Sequence, residues 1–255
     1  MKSLFSLLFL TLLAGCSLYP TNPMPAQDFQ YARDPAKNLV VLLSGRGAPE
    51  SYFSDHDWVD IARQFGSTAD YVAPFAHYGY YVTATFLPRL QQDVMLPLEK
   101  NNYKSISVLG ISMGGLGAIL YTNKHPETID RIYLISPFLG KSEVHEEIAQ
   151  AGGLMQWQIK DEDKDNWNYY IWWRLKKLLS DPNTRDKVYL GFGQQDRMPG
   201  LQLLAGSLPA DHVISIPGGH KDVVFTRIWE IMHERGFFKY TEGGVKFAGQ
   251  KPKGG

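Results

Sequence analysis

A serine stands between two glycines in the segment Gly110-Ile111-Ser112-Met113-Gly114, where an apolar β-like run gives way to a helix-like one. This G-x-S-x-G spacing is typical of a nucleophile elbow, a tight strand-to-helix turn that exposes the serine hydroxyl. The glycines are needed because a β-carbon at either position would collide with the neighbouring strand or helix. Such short patterns also arise by chance, so the motif alone leaves open a glycine turn with a solvated serine.

A serine hydroxyl is a weak nucleophile at neutral pH and needs a nearby base that is itself oriented by a carboxylate. Two strand-like runs end in loops with these groups: "VYLGFGQQD" ends at Asp196 and "VISIPGGH" ends at His220. Because the carboxyl ends of parallel strands share one edge of a sheet, we expect both residues to lie beside Ser112. Asp186 and Asp222 are alternatives for the carboxylate, but neither follows a strand.

The remaining histidines lack a glycine turn at a strand end, and we interpret them as structural or surface residues: His56, His77, His125, His145, His212 and His233. The sequence contains no H-E-x-x-H pair and only one cysteine. It also lacks the glycine loop that cradles phosphates in P-loop proteins. We therefore expect no metal site and no cofactor.

The segments around these residues alternate between strand-like and helix-like patterns. Strand-like runs are "NLVVLLSGRG", "GYYVTATFL", residues 105–110, "DRIYLISPF", "DKVYLGFG" and "HVISIP". Helix-like runs are "DWVDIARQF", "PRLQQDVMLPLEKN" (kinked or broken at Pro97), residues 113–124, a segment near 199–206 and "KDVVFTRIWEIMHERG". The alternation predicts an α/β fold with a mostly parallel central sheet and helices on both faces. One further edge strand is expected at Phe29–Ala32.

Composition narrows the class of protein further. The chain has 255 residues, enough for one large α/β domain with a substantial core. Its 26 basic and 26 acidic residues balance, which argues against a nucleic-acid partner, because such a partner favours a basic face.

The chain order Ser112, Asp196, His220, with each residue after a strand, resembles that of α/β-hydrolase-fold serine hydrolases over about residues 38–238. The resemblance implies that Ser112 is the nucleophile. It implies that His220 serves as general base and then as general acid, and that Asp196 orients the imidazole ring.

The same resemblance implies an oxyanion hole built from backbone N–H groups. One donor would be Met113, the residue after the nucleophile. The second would come from the loop "LLSGRG", where Arg46 is the first choice and Gly45 the alternative. Many members of the family carry His-Gly-x-Gly here, whereas this chain begins the motif with Ser44 and keeps the glycine spacing.

An insertion at about residues 141–185 interrupts the alternation and is predicted to be helical. It is rich in aromatic residues: Trp157, Trp167, Tyr169, Tyr170, Trp172 and Trp173. We interpret the insertion as a cap over the site, with three roles open for its rings. They could form an apolar lid, pack the cap onto the sheet, or face a membrane.

The N-terminal residues resemble a bacterial lipoprotein precursor. A short positive start precedes the apolar stretch "SLFSLLFLTLL", and "LAGC" follows with the only cysteine of the chain. The resemblance implies a signal peptide at residues 1–15, acylation of Cys16 and a tether at 16–37. Ser17, in place of aspartate, favours the outer membrane of the cell envelope where one exists. An ordinary secretory signal is the alternative, and residues 239–255 are expected to form a flexible tail.

The sequence therefore predicts a serine hydrolase that cleaves carboxylic esters, with a small-molecule or lipid ester as substrate and a membrane contact through the lipid anchor. A serine peptidase or thioesterase is the enzymatic alternative. A non-catalytic binding protein of the cell envelope on the same fold is the other. The sequence does not indicate an oligomeric state.

Overall fold

A computed structural model of the chain describes residues 19–31, 38–160 and 165–239. In these ranges seven strands form one sheet in the order β1-β3-β2-β4-β5-β6-β7. The strands are β1 (Ala26–Phe29), β2 (Asn38–Leu43), β3 (Asp70–Pro74), β4 (Ser105–Ile111), β5 (Arg131–Ile135), β6 (Val188–Gly193) and β7 (Val213–Ile216). Only β1 runs antiparallel to its neighbour. The predicted mostly parallel sheet is confirmed.

Helices cover both faces of this sheet. The α-helices are α1 (Tyr52–Asp55), α2 (Trp58–Gln64), α3 (Tyr78–Val82), α4 (Phe86–Arg89), α5 (Leu96–Glu99), α6 (Met113–Lys124), α7 (Ser142–Gln150), α8 (Trp167–Ser180), α9 (Pro182–Arg185), α10 (Leu201–Ala205) and α11 (Asp222–Glu234). Side chains of α1, α2 and α11 form the core on one face, and those of α3, α4, α6 and α8 contribute to the core on the other.

The central strands are mostly apolar because they are buried on both faces. In β2, Leu39, Val41 and Leu43 belong to one core cluster, whereas Val40 and Leu42 belong to the other. Alternation follows from the two-residue period of side chains along a strand. A strand covered by helices on both faces reads as an unbroken apolar run for this reason.

One predicted strand is wrong. The segment "GYYVTATFL" contains helix α3, and the strand lies earlier, at β3. The His77 ring nitrogen Nδ1 accepts the Gly79 N–H (3.1 Å) and caps α3, and the Thr83 hydroxyl donates to the Gly79 carbonyl at its end. Burial of Tyr80 anchors the helix to the core. Local capping and packing thus override the β-propensity of the tyrosines, valine and threonines.

The helix predicted around Pro97 forms in three pieces. A π-helical turn at Leu90–Met95 lies between α4 and α5. Proline lacks an N–H and its ring crowds the carbonyl one turn earlier, so a regular helix cannot run through it. The chain nevertheless stays helical from Phe86 to Glu99, with the π-helical turn just before Pro97. The predicted irregularity is present, but the helix is not broken at Pro97.

The beginning of the described chain is folded onto the domain. The edge strand is β1, three residues earlier than predicted, and it pairs with β3. Met24 is buried and its N–H donates to Asp93 (2.8 Å). The predicted tether therefore includes a docked segment. The predicted signal peptide, Cys16 and the tail beyond Lys239 lie outside the described residues.

The insertion is helical, as predicted, and it contributes to the main core. Helix α8 packs on α6, and the rings of Trp157 and Trp172 are buried among the core residues. The Trp172 indole N–H donates to the Leu139 carbonyl (2.8 Å). These two rings pack the insertion onto the domain, whereas Trp167 is half exposed. No helix within the described ranges is long and apolar enough to cross a membrane.

Acidification should destabilise the fold through His233, which is buried in α11 between the rings of Phe65 and Phe238. Burial lowers the pKa of His233 to about 4. An unfolded chain binds this proton near pH ~6.5, so the unfolded state takes up more protons as the pH falls below that value. The free energy of unfolding should drop by about 3 kcal/mol between pH ~6.5 and ~4. Urea unfolding at several pH values measures this loss.

The variant His233→Met should flatten that pH dependence, because methionine fills the site without titrating. His125→Met is the matched control, since His125 is only partly buried beside Tyr121. The control should keep the wild-type dependence on pH. An unchanged acid loss in His233→Met would assign the loss to other groups.

Candidate active site

Ser112 lies in the turn between β4 and α6, at the carboxyl edge of the sheet. Its backbone has φ 51° and ψ −114°, a conformation that is costly for a residue with a β-carbon. Two hydrogen bonds, one to the last residue of β5 and one to the loop after it, hold it there. The Ser112 N–H donates to the Ile135 carbonyl (3.0 Å), and the Phe138 N–H donates to the Ser112 carbonyl (2.8 Å). The strained turn is therefore fixed from both sides.

The glycines of the elbow allow a very close approach of strand and helix. A β-carbon on Gly110 would lie 2.2 Å from the Gly114 carbonyl oxygen, and one on Gly114 would lie 2.1 Å from the Leu43 carbonyl oxygen. Both are backbone atoms that no rotamer change can move away. The interpretation of the glycines from the sequence is confirmed.

A chain of hydrogen bonds joins the three predicted polar residues. His220 Nε2 lies 3.1 Å from the Ser112 hydroxyl, and His220 Nδ1 lies 2.9 Å from Asp196 Oδ2. With Asp196 ionised, Nδ1–H donates to the carboxylate and Nε2 accepts from the serine. The alternative carboxylates lie elsewhere: Asp222 accepts from the Tyr52 hydroxyl, and Asp186 pairs with its neighbour in sequence.

The loops that carry Asp196 and His220 are tied together by backbone contacts. The Gln195 N–H donates to the Gly218 carbonyl (2.8 Å) and joins the two loops. Within the first loop, the Asp196 N–H donates to the Gly193 carbonyl (2.9 Å) and closes a turn. Gly218 has φ 126°, which favours glycine. Because β6 and β7 are neighbours, the acid and the imidazole are held at a fixed separation.

The Asp196 carboxylate is stabilised in its ionised form. Burial raises its pKa, but the His220 ring, the Ser136 hydroxyl and the Met198 N–H (2.9 Å) each lower it, and its pKa lies below the ordinary value. The Ser136 hydroxyl is buried without a partner at normal hydrogen-bond geometry, so it acts on Asp196 as a nearby dipole. Asp196 therefore stays charged throughout the neutral range.

The loop predicted to supply the second oxyanion donor lies beside Ser112. A β-carbon on Gly45 would stand 3.5 Å from that of Ser112. A hydrogen bond from the Ala48 N–H to the Gly45 carbonyl (3.3 Å) closes a turn that contains Arg46. Among the described residues, no hydrogen bond uses the backbone N–H of Arg46 or Met113. Both N–H groups are therefore free of a described acceptor, which an oxyanion hole requires of its donors.

Two features at the end of β5 were not predicted from the sequence. Ser136 has φ 45° and is fully buried next to the Asp196 loop. Phe138 follows it, and its ring lies 5.7 Å from that of Trp167. The signal available in the sequence was the position of "SPF" directly after a core strand, at the same edge as Ser112. In the described part of the chain, no group of three or more His, Cys, Asp and Glu residues could hold a metal ion.

The sheet is mostly parallel, and a strained serine between strand and helix is hydrogen-bonded to a histidine in the loop after the last strand. Together these features define an α/β-hydrolase-fold hydrolase. The chain belongs to the Esterase family: the family model described as "Putative esterase" matches residues 11–209. The match includes Ser112 and Asp196 and ends before His220. The protein is thus a carboxylic-ester hydrolase.

Solved structures of low sequence identity share this fold. Fluorophosphonate-binding serine hydrolase F of Staphylococcus aureus superposes with a TM-score of 0.55 at 14% identity, covering 85% of this chain and 94% of that one. The S-formylglutathione hydrolase FrmB of the same organism gives 0.53 at 12% identity, covering 84% and 98%. Est1E of Butyrivibrio proteoclasticus, bound to ferulic acid, gives 0.51 at 16% identity, covering 85% and 96%. Among curated proteins, none is significantly similar to this chain.

Proposed function

We propose that this esterase works through an acyl-enzyme formed on Ser112, with His220 as base and acid and Asp196 as the carboxylate that orients it. The hydrogen-bonded chain from the serine through the imidazole to the ionised Asp196 is the observation that carries the proposal. A serine without such a base would be a poor nucleophile.

The reaction follows from these positions. The Ser112 hydroxyl attacks the ester carbonyl while His220 Nε2 takes its proton, and the backbone N–H groups of Met113 and Arg46 bind the resulting oxyanion. The tetrahedral intermediate collapses, His220 returns the proton to the departing alcohol, and the acyl group stays on Ser112. Water, deprotonated by His220, then attacks the acyl-enzyme and releases the carboxylic acid.

The acyl group is proposed to lie against the Phe138–Trp167 pair. The Phe138 backbone N–H donates a hydrogen bond to the Ser112 carbonyl, which places the Phe138 side chain near the reacting atoms. The adjacent Trp167 ring is 48% exposed, which leaves an apolar surface open to a ligand. Such a wall favours apolar or aromatic acyl groups over charged ones.

The protein is further proposed to be anchored in the bacterial cell envelope through acylation of Cys16. Support comes from the sequence: the apolar stretch before "LAGC" and the placement of the only cysteine at the end of that motif. The outer membrane is favoured because Ser17 follows the cysteine. Mass spectrometry of the mature N-terminus tests the anchor separately from the chemistry.

Comparing kcat/KM on an ester, a thioester and a peptide with the same acyl group tests the substrate class. We expect the ester with an apolar acyl group to be hydrolysed fastest, because the family model that matches the chain is that of an esterase. The same ester with a charged acyl group is the matched control and should react more slowly. A higher kcat/KM for the peptide would overturn the proposal.

A further inference from the structure

The direction of β1 determines where the N-terminal segment meets the domain. Because β1 is antiparallel to β3, its first residue, Ala26, pairs with Pro74 at the carboxyl end of β3. That end belongs to the same edge at which β4 delivers Ser112, since β3, β2 and β4 are parallel. The chain therefore joins the sheet at the catalytic edge.

The residues before β1 are held at this edge by helix α3. The Tyr80 hydroxyl donates to the Thr21 carbonyl (3.0 Å) and lies 3.0 Å from the Thr21 hydroxyl. Three residues further on, the side chain of Met24 is buried in the core and holds the segment against the domain. Cys16 lies five positions before Thr21, and an extended chain of that length spans at most about 18 Å. A lipid on Cys16 would therefore hold the catalytic edge close to the bilayer.

Exposed apolar side chains occur on the elements of this edge. Val82 and Tyr78 project from α3, and Tyr78 lies under the Arg46 guanidinium (5.7 Å to the ring centroid). Val223, at the start of α11 just after His220, is 73% exposed. Side chains of this kind can enter the interfacial region of a bilayer.

Exposed cations accompany them. The loops after β2, β5, β6 and β7 each carry one exposed lysine or arginine. None of the four forms an ion pair with a described carboxylate: Arg46, Lys141, Arg197 and Lys221. Basic groups next to apolar ones suit a surface that contains anionic phospholipids.

We propose that the catalytic edge lies against the phospholipid bilayer that carries the acylated Cys16, and that Ser112 takes amphiphilic, long-chain esters from that bilayer. The proposal rests on the esterase chemistry and the anchor proposed above. It commits to a partly anionic lipid surface as the occupant of the edge, because the anchor, the apolar side chains and the cations converge there.

The test uses the full, acylated chain in vesicles of phosphatidylcholine and phosphatidylglycerol doped with nitroxide lipids. Acylation consumes the only native cysteine, so a single introduced cysteine can be labelled with a fluorophore. Val223→Cys reports on the catalytic edge. Leu96→Cys is the matched control, because Leu96 is 45% exposed on α5, which leads into the amino end of β4.

Lipid quenching of the label in Val223→Cys should exceed that in Leu96→Cys severalfold. Equal quenching, stronger quenching in Leu96→Cys, or an unmodified Cys16 by mass spectrometry would each overturn the proposal. Lengthening the chain between Ser17 and Leu18 with a flexible glycine-serine segment should slow hydrolysis of a bilayer-held long-chain ester severalfold and leave a soluble short-chain ester unaffected. Wild-type protein inactive on the soluble ester would refute the proposed function, whatever the quenching shows.

Discussion

Replacing Ser112 with alanine is expected to reduce ester hydrolysis on the order of 10⁴–10⁶-fold and to abolish labelling by a fluorophosphonate. The hydroxyl that His220 activates is removed, whereas the oxyanion donors and the Phe138–Trp167 wall stay in place. Only the slow reaction with water would remain. A fluorescent fluorophosphonate followed on a gel and hydrolysis of a soluble ester measure the two effects.

Asp196→Asn provides a graded comparison in the same assay. The amide cannot hold His220 in the required tautomer, so labelling should be slower by on the order of 10³–10⁴-fold without being lost. Urea unfolding should show that both variants are folded, since neither residue belongs to the apolar core. Persistent labelling of Ser112→Ala would identify a different nucleophile and exclude the proposed mechanism.

Replacing Gly114 with alanine is expected to lower the free energy of unfolding by about 3–5 kcal/mol, the range of severe core defects. Alanine in a helix is ordinarily favourable by up to about 1 kcal/mol over glycine. Here the added β-carbon would stand 2.1 Å from the Leu43 carbonyl oxygen and 2.7 Å from that of Ser44. Helix α6 must move off β2, which misplaces Ser112 and Met113 and suppresses fluorophosphonate labelling of the folded fraction.

Gly206→Ala is the control for the change of residue type. Gly206 has φ −67° at the end of α10, and the nearest atom to an added β-carbon lies 3.4 Å away. Its unfolding free energy should change by less than about 1 kcal/mol. Wild-type stability and labelling in Gly114→Ala would mean that the strand and helix are less tightly joined than the distances require.

The sequence was sufficient for the central sheet and for the relative positions of Ser112, Asp196 and His220. Each of these residues follows a short, predominantly apolar run, and such runs indicate strands of a sheet. Parallel strands then bring the three loops to one edge. Spacing along the chain and one rule of sheet geometry therefore predicted which residues meet, although their distances came from the structure.

Other features depend on tertiary contacts that no local pattern reports. The strand β3 was missed in favour of the tyrosine-rich segment of α3. That segment has the composition of a strand and is helical because Tyr80 is anchored in the core. Trp157 and Trp172 could have lined a lid, and only the packing of α8 on α6 shows that they join the core. Ser136 has no flanking glycine, so the sequence did not single it out as a turn residue near the site.

The histidine comes from the last strand of the sheet, and β7 is a four-residue edge strand paired only with β6. During synthesis, Ser112 is made more than a hundred residues before its base. The serine therefore cannot be activated until the C-terminal end of the domain has closed onto the sheet. Activation of the nucleophile therefore depends on completion of the fold. An unfinished or truncated chain carries Ser112 without the histidine that makes it reactive.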